Sequence, residues 1–436
     1  MFNIESQRFI LPGCQNLYSP PLCLRACSFR IPIMTHHPTP EHKDQTLLQQ
    51  WLAILSVAIG AFALVTSEFL PVGVLNDVAR DLAISSGQAG LMVTLPGITA
   101  AIAAVALSVG IGSMDRRKLL IFLTLVMVLA NFTAAFANDL PTLLFGRILL
   151  GVGIGGFWAT AIALSARLAP QGVGVAKASA IIMGGVTLAT VVGVPLGTWL
   201  SGLLGWRMTF LITAILGIPV LLMQLFSLPV LNPKKAISIS DLPALLFIPK
   251  ARVGMIAVLL IGLSHFAAFT YIAPFFKFSS GFSGSTISSL LLLYGCAGVV
   301  GNIFAGFAAN RSVRNTFLLV GAMIGASIFL LPQLGTHLSG AIMLTAVWGF
   351  AFGAFPTCAN IWMFVAAPND VERGMPLFVA LFQINIALGS YFGGRLVDAL
   401  GVNSLLGLTT VLVVLGLLNV LAFGRSVKNP LPATSV

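Results

Sequence analysis

The fold is decided by WLAILSVAIGAFALVTSEFLPVGVL, the apolar stretch from Trp51 to Leu75. It is longer than the roughly 20 apolar residues that a helix needs to cross a bilayer. Glu68 lies near its far end and is followed by Pro71. An acid at such a depth costs about 2.5–3.5 kcal/mol on insertion scales and usually serves a proton or a substrate. The alternative is a carboxylate that a neighbouring helix satisfies for structural reasons.

The composition indicates a polytopic helical membrane protein. Of the 436 residues, 58% are hydrophobic and 8% are charged, whereas soluble domains carry about 25% charged residues. The apolar runs are continuous and do not alternate, which favours helices over strands. The net charge of +11 comes from lysines and arginines in short loops, so it concerns orientation and predicts no nucleic acid partner. The five cysteines match neither a zinc site nor a disulfide framework, and we expect no metal and no cofactor.

Twelve spans are predicted, six on each side of a polar break. The N-terminal half covers residues 51–229, the linker 230–253 and the C-terminal half 254–424. The predicted spans are 51–75, 87–112, 118–137, 141–166, 177–202, 207–229, 254–277, 286–309, 315–334, 338–366, 375–398 and 402–424.

The charge distribution predicts the orientation. After the first tail, fourteen lysines and arginines lie at one side of the membrane and four at the other, which is a strong positive-inside bias. Residues 1–50 and 425–436 are therefore predicted to be cytoplasmic tails of a protein in the cytoplasmic (inner) membrane. We expect the first tail to be disordered because it is polar, rich in proline and without periodicity. Met34 is a candidate start site.

The two halves repeat each other at a nearly constant offset. Gly151 and Gly155 of span 4 return as Gly349 and Gly353 of span 10, 198 residues later. The loop after span 2 and the glycine–proline run of span 5 return at offsets of 195 and 196. Two six-helix halves related as a parallel repeat describe a large class of transporters. The predicted fold class is therefore an all-α membrane protein with twelve transmembrane helices.

Arg147 of span 4 lies at a depth similar to that of Glu68. A pair between them is possible, and either charge alone would be costly in lipid. Burial favours the protonated form of an acid and a nearby guanidinium favours the ionised form, so an acid balanced in this way can titrate near neutral pH. We predict that Glu68 and Arg147 are proton-coupling residues. A static structural ion pair is the alternative.

Polar and aromatic residues in other spans are candidates for a substrate cavity. His265 lies 197 residues after Glu68, at the matching place of the second half, and can bind solute or relay protons. A histidine bonded to a backbone carbonyl is the alternative. Polar side chains at membrane depth usually face the protein interior, although hydrogen bonds between helices explain some of them. The remaining candidates are Trp158, Tyr271, Asn302, Asn360, Gln383 and Asn385.

Other positions are predicted to serve conformational change. Pro195 removes a backbone donor from span 5 and its flanking glycines allow tight packing, so this span can bend or simply pack closely. The charged loop between spans 2 and 3 can latch the cytoplasmic helix ends, or act only as a topology signal. The predicted gating residues are Asp115, Arg116, Arg117, Gly193, Pro195, Gly197, Asn310 and Arg311.

Several of these runs resemble the major facilitator superfamily, and within it the twelve-span drug:proton antiporter family. The Arg-x-x-x-Gly-x-Gly-x-Gly-Gly run at 147–156 is similar to the family's span-4 motif, whose arginine is implicated in proton transfer. The Gly-x-Pro-x-Gly run at 193–197 is similar to the antiporter motif of span 5. The loop at 115–118 is similar to the loop 2–3 motif in a compressed form, and 306–311 is closer to the full pattern.

Four stretches are similar to a bacterial subgroup of sugar and purine-ribonucleoside efflux pumps: 67–72, 155–159, 205–207 and 265–274. This resemblance implies export of a small polar solute against an inward proton flow. The expected partners are a small-molecule substrate, protons and the lipid bilayer, and we expect a monomer.

Three alternatives remain open at this point. The first is a broad exporter of drugs or lipophilic cations with the same fold, and the second is a proton symporter for uptake. The third is a membrane enzyme or a scaffold. We expect no enzyme, because the sequence offers no paired carboxylates, metal cluster or nucleophile–base set.

Overall fold

The computed structural model describes residues 46–110, 114–165, 167–170, 173, 175–231, 244–367 and 371–424. This described part is helical and contains twelve helices long and apolar enough to cross a membrane. The predicted tails, apart from residues 46–50, and residues 232–243 of the predicted linker lie outside it.

The helices of the N-terminal half are α1 (Leu47–Asp81), α2 (Ser86–Gly110), α3 (Arg116–Ala135), α4 (Leu140–Ser165), α5 (Val175–Leu204) and α6 (Trp206–Ser227). After a short turn at Ala244–Phe247, those of the C-terminal half are α7 (Pro249–Thr270), α8 (Gly284–Ala309), α9 (Arg311–Leu334), α10 (Leu338–Ala366), α11 (Val371–Leu400) and α12 (Val402–Phe423). A short continuation at Ile272–Pro274 and a π turn at Phe275–Ser279 follow α7. All twelve predicted spans correspond to these helices.

Several helix ends differ from the prediction by a few residues, and two helix boundaries have a local cause. The first helix begins at Leu47, before the predicted start, because the side chains of Thr46 and Gln49 form a capping box there. A tight turn separates α8 from α9, and Ser312 has extended dihedral angles at this point (φ −159°, ψ 97°). The chain reverses direction here, since the hydroxyl of Ser280, before α8, donates to the carbonyl oxygen of Gly335, after α9, at 3.0 Å. The Ser312 hydroxyl accepts a hydrogen bond from the amide of Asn315 at 3.3 Å and so begins α9 anew.

The repeated glycines pack helices within each half, as the sequence predicted. A Cβ atom added at Gly155 of α4 would lie 2.4 Å from the carbonyl oxygen of Ala100 on α2. At the equivalent Gly353 of α10, it would lie 1.9 Å from the carbonyl oxygen of Gly298 on α8. Because only glycine fits, α2 with α4 and α8 with α10 approach backbone to backbone in the same way.

The two halves meet at the end of the bundle where α1 ends and α2 begins, which we call the outer end after its predicted orientation. There, α11 of one half packs on α2 of the other, and α8 packs on α5. Ser288 of α8 donates a hydrogen bond from its hydroxyl to the carbonyl oxygen of Pro195 on α5 at 2.8 Å. Gly295 of α8 is in contact with the backbone of Val191 on α5. The structure thus has its halves joined from the outer end towards the middle.

Candidate functional site

Glu68 lies inside the bundle, at the contact between the two halves. Its side chain is buried on α1, with 4% of the residue surface exposed. The carboxylate Oε1 accepts a hydrogen bond from Nε2 of Gln383 on α11 at 3.1 Å. A glutamine amide can donate to a carboxylate and can accept from a carboxylic acid. Gln383 can therefore serve both protonation states of Glu68, and the bond links one half to the other.

Arg147 is buried beside Glu68, and its guanidinium contacts backbone. Nε donates to the carbonyl oxygen of Met92 at 2.8 Å and Nη1 to that of Ser67 at 2.9 Å. Nη2 donates to the carbonyl oxygen of Glu68 at 3.1 Å. The contact between the two predicted proton-coupling residues is thus made through the backbone of Glu68, while the carboxylate is bonded to Gln383.

A second polar side chain supports α1 next to Glu68. Asn131 of α3 donates from Nδ2 to the hydroxyl of Ser67 at 2.9 Å, and that hydroxyl donates to the carbonyl oxygen of Ala63 at 2.8 Å. The turn of α1 that carries Glu68 is therefore held by α3 and α4, which fixes where its carboxylate points.

His265 is fully buried at the matching place in the other half. Its Nδ1 accepts a hydrogen bond from the indole Nε1 of Trp348 at 3.1 Å, so a neutral ring carries its proton on Nε2. Among the described residues, Nε2 has no hydrogen-bond partner. The ring is stacked on Phe352 and on Phe269, with centroids 3.5 Å and 5.4 Å away. The hydrogen-bond partner of His265 is therefore an indole, and not the backbone carbonyl of the alternative interpretation.

Aromatic side chains from α7, α8 and α10 surround this histidine. We call them the aromatic cluster: His265, Phe266, Phe269, Tyr294, Trp348 and Phe352. The hydroxyl of Tyr294 is also buried without a partner in the described structure. Phe266 stacks on Phe69 at 6.5 Å, and Phe69 is the residue after Glu68. The aromatic cluster therefore borders the helix that carries the acid.

Two further cavity candidates tie α7 to α11 within the C-terminal half. The hydroxyl of Tyr271 donates to the carbonyl oxygen of Ser390 at 2.9 Å. Nδ2 of Asn385 donates to the carbonyl oxygen of Val258 at 3.1 Å.

The remaining cavity candidates lie elsewhere. Asn302 is exposed and accepts a bond from Thr357 at 3.0 Å. Asn360 bonds within its own helix, and Trp158 packs on Phe157. Among the predicted cavity residues, Gln383 is the one that bonds the carboxylate of Glu68 in the described structure.

The charged loop after α2 is bound to the end of α6, within one half. Oδ1 of Asp115 caps α3 by accepting from the amide of Arg117 at 2.9 Å, and it accepts from the amide of Leu231 at 3.0 Å. The amide of Arg116 donates to the carbonyl oxygen of Leu231, also at 3.0 Å. The guanidinium of Arg117 donates to the carbonyl oxygen of Leu225 at 2.7 Å. The loop therefore joins the ends of α3 and α6.

Gly193 and Gly197 of α5 face α1, whereas the carbonyl oxygen of Pro195 bonds the other half. Gly193 packs against Thr66 and Gly197 against Leu70, while the carbonyl oxygen of Pro195 bonds α8. Both the tight packing and a bend between halves are compatible with these contacts. Of the second-half gating candidates, Arg311 is exposed and the side chain of Asn310 lies outside the described residues.

Sequence reasoning missed a contact that closes the outer end. Asp398, near the end of α11, accepts a hydrogen bond from the hydroxyl of Ser85 at 2.7 Å. It also accepts one from the amide of Gly87 at 3.0 Å, at the start of α2. The position of Asp398 near the end of a span did not indicate this contact, because both partners lie more than 300 positions away in the chain.

An apolar groove lies between α1, α5 and α6. It has a volume of about 340 Å³ and is lined largely by aliphatic side chains, among them Ile59, Leu200 and Met223, together with Thr66 and Thr213. Glu68 does not line it, so this groove is separate from the acid.

In the part of the chain that the structure describes, twelve helices long and apolar enough to span a membrane form two repeated halves with a buried acid at their contact, which is typical of a multi-pass membrane transporter. The chain belongs to the Major Facilitator Superfamily, whose family model matches residues 57–375. This confirms the predicted family and fold, and the protein is a transporter of small molecules and not an enzyme.

Two curated relatives cover most of the chain. The purine ribonucleoside efflux pump NepI of Salmonella typhimurium is 33% identical over 379 residues, which is 87% of this chain and 95% of that one. The transcription regulatory protein OpdE of Pseudomonas aeruginosa is 35% identical over 355 residues, 80% of this chain and 88% of that one.

A mutant of the nucleoside transporter NupG has a similar solved structure. The TM-score is 0.71 at 14% identity, over 86% of this chain and 100% of that chain. An inward-facing bacterial homologue of the lysosomal transporter Spinster gives a TM-score of 0.69, also at 14% identity, over 88% of this chain and 98% of that one. These likenesses concern the fold alone.

Proposed function

We propose that this transporter exports a small polar solute, a purine ribonucleoside or a sugar-like molecule, from the cytoplasm in exchange for protons. The observation that carries the proposal is the hydrogen bond between Glu68 and Gln383, which joins the two halves at a buried acid. A titratable group at the junction of two moving bodies can couple its protonation to their movement, because the two states bind the proton differently.

In this mechanism the halves rock about a site near the middle of the membrane, as repeat-built transporters do. Glu68 takes up a proton while the outer side is open, and the solute leaves. Glu68 releases the proton when the inner side is open, and a new solute binds. Arg147 holds a positive charge against the backbone of Glu68 and so tunes the acid.

The aromatic cluster supports a purine as the solute. Flat rings stack favourably on aromatic side chains. Nε2 of His265 and the hydroxyl of Tyr294 are buried donors without partners among the described residues, and such groups are costly when left unpaired. A nucleobase offers both a ring to stack and acceptors for these donors. The relative NepI is a purine ribonucleoside efflux pump, which supports the same class of solute.

One observation favours a second candidate, the export of lipophilic cations. The groove between α1, α5 and α6 is apolar and large enough for part of a drug-sized molecule. Its lining carries no charge, however, and a cation in it would not reach Glu68. The polar solute therefore stays the first proposal.

We further propose the cytoplasmic membrane as the location, with both termini inside, on the basis of the positive-inside bias. The monomeric state stays a prediction.

Transport into inside-out vesicles with an imposed pH gradient tests the proposal. Wild-type protein should accumulate tritiated adenosine when protons flow out of the vesicles, and Glu68→Gln should not. The matched control is Asp77→Asn, since Asp77 lies on the same helix but bonds Ser201 within one half. Equal uptake by wild type and Glu68→Gln would refute the proton role. No uptake by either, with uptake of a labelled sugar or a lipophilic cation, would refute the purine.

The aromatic cluster is tested with Tyr294→Phe, which removes one hydroxyl and keeps the ring. Because this hydroxyl has no partner among the described residues and an unpaired buried group is costly, thermal stability should stay the same or rise, while the KM for adenosine rises. An unchanged KM would separate the cluster from the solute.

A further inference from the structure

Arg147 contacts α1 and α2 at the places where each of these helices contains a proline. Each of α1 and α2 has one proline in its interior, Pro71 and Pro96. Proline has no amide hydrogen, so it leaves the carbonyl four residues earlier without its helical donor. On α1 this is the carbonyl of Ser67, and on α2 it is that of Met92.

Arg147 donates to both of these carbonyl oxygens. Nη1 reaches Ser67 at 2.9 Å and Nε reaches Met92 at 2.8 Å, the two shortest of its three bonds. The third bond, at 3.1 Å, goes to the carbonyl of Glu68, for which Val72 supplies an ordinary helical amide four residues on. In each of the two helices, the guanidinium thus bonds the carbonyl oxygen that the proline leaves without a helical donor.

The site is one in which an unpaired carbonyl is costly. Arg147 is buried, with 1% of its surface exposed, and water cannot readily replace it there. A guanidinium has its donors in a fixed planar fork and keeps its charge when buried. It can therefore bond two helices at once, whereas a single amide serves one carbonyl.

We propose that Arg147 is a positioning residue that supplies the hydrogen bonds removed by Pro71 and Pro96. It fixes α1 and α2 to α4 at their proline bends. Glu68 lies three residues before Pro71, so the direction of its carboxylate towards Gln383 depends on this bend being held. The effect of Arg147 on transport is then exerted through the position of Glu68. The proposal does not require a particular solute.

The experiment replaces Arg147 together with both prolines, so that positions 71 and 96 regain their amide hydrogens. Arg147→Met should lower the Tm in detergent and abolish transport. Adding Pro71→Ala and Pro96→Ala to Arg147→Met should recover most of the lost Tm and measurable transport, because the new amides at 71 and 96 can bond the same two carbonyls. In a wild-type background, the same two proline substitutions should change the Tm little, since Arg147 already occupies those acceptors.

Pro219→Ala is the matched control, because Pro219 is an interior proline of α6 whose orphaned carbonyl, that of Ile215, is not bonded by Arg147. It should change the Tm equally with and without Arg147. If Arg147→Met yields no folded protein, the triple variant should still yield monodisperse protein, and Arg147→Lys gives a second starting point for the same rescue.

A triple variant no more stable than Arg147→Met would overturn the proposal. So would a rescue equal to that given by Pro219→Ala. A triple variant that regains its Tm but not tritiated adenosine transport would overturn positioning as the reason why transport needs Arg147. Because the Tm is read without any solute, failure here is distinct from failure of the proposed transport activity.

Discussion

The outer end of the bundle is held closed by Asp398, and we predict that Asp398→Ala shifts the protein towards a form open at that end. The two acceptor oxygens of this carboxylate bond α2 of the opposite half at 2.7 Å and 3.0 Å. The carboxylate also lies at the first turn of α2, where the helix dipole favours a negative charge. A Cβ atom at Gly87 would lie 2.3 Å from Asp398, so the contact is close and must separate when the end opens.

The size of the effect follows from the number and exposure of these bonds. A hydrogen bond to a charged group contributes about 1.5–3 kcal/mol when protected from water, and removal of a helix cap costs about 0.5–2 kcal/mol. Asp398 is exposed, so we take a value from the lower part of these two ranges, about 1–2 kcal/mol, as the free energy that its bonds contribute to the closed form. Since 1.4 kcal/mol corresponds to a tenfold change in an equilibrium, the ratio of open to closed forms should rise about five- to thirty-fold.

Double electron–electron resonance can measure this ratio. Spin labels at Ala83 and Ala399, both exposed at the outer end, should report a longer distance in the open form. The five native cysteines must first be replaced. The control is Asp77→Ala, whose carboxylate accepts from the hydroxyl of Ser201 at 2.6 Å but joins two helices of one half. If Asp398→Ala leaves the distance distribution as in Asp77→Ala and wild type, Asp398 does not hold the outer end closed.

Three other substitutions have expected outcomes. Gln383→Leu removes the donor to Glu68, and a lost bond of about 1–3 kcal/mol at a buried group should reduce pH-driven uptake by roughly tenfold, read in the vesicle assay. Gly353→Val forces a side chain into the backbone of Gly298 and should lower the Tm by an amount equivalent to about 1–3 kcal/mol or more; a Tm equal to that of wild type would contradict the close packing. Asp115→Ala removes the cap of α3 and should cost about 0.5–2 kcal/mol of stability with transport retained, as seen by comparing melting curves with uptake rates.

The helices could be predicted because their signals are local. Each span is a continuous apolar run that needs no knowledge of its neighbours, and the repeated glycines mark the faces on which helices approach closely. The turn at Ser312 was predicted as the gap between spans 8 and 9, because a short polar stretch separates two apolar runs there.

The partners of the site could not be predicted in the same way. The bond from Gln383 to Glu68 spans 315 positions, and hydropathy does not indicate which polar residue on another helix is opposite. For Arg147, part of the answer was available, since the prolines identify the carbonyls of Ser67 and Met92 as unpaired. What was missing was the geometry by which one side chain reaches both. The sequence therefore suggested a carboxylate partner where the structure has backbone.

The two halves have kept their packing and diverged at the site. Gly155 of α4 and Gly353 of α10 allow the same close approach of a neighbouring helix. The matching positions Glu68 and His265, in contrast, differ in their partners. Glu68 is bonded across to the other half, and His265 is bonded within its own half by Trp348. Packing must be preserved in both halves for the bundle to form, whereas the proposed exchange of protons for a solute needs one proton site and one solute site, and these have different chemistry. We infer that the N-terminal half carries the charge and the C-terminal half the aromatic surface, so that each transport cycle brings both to one contact.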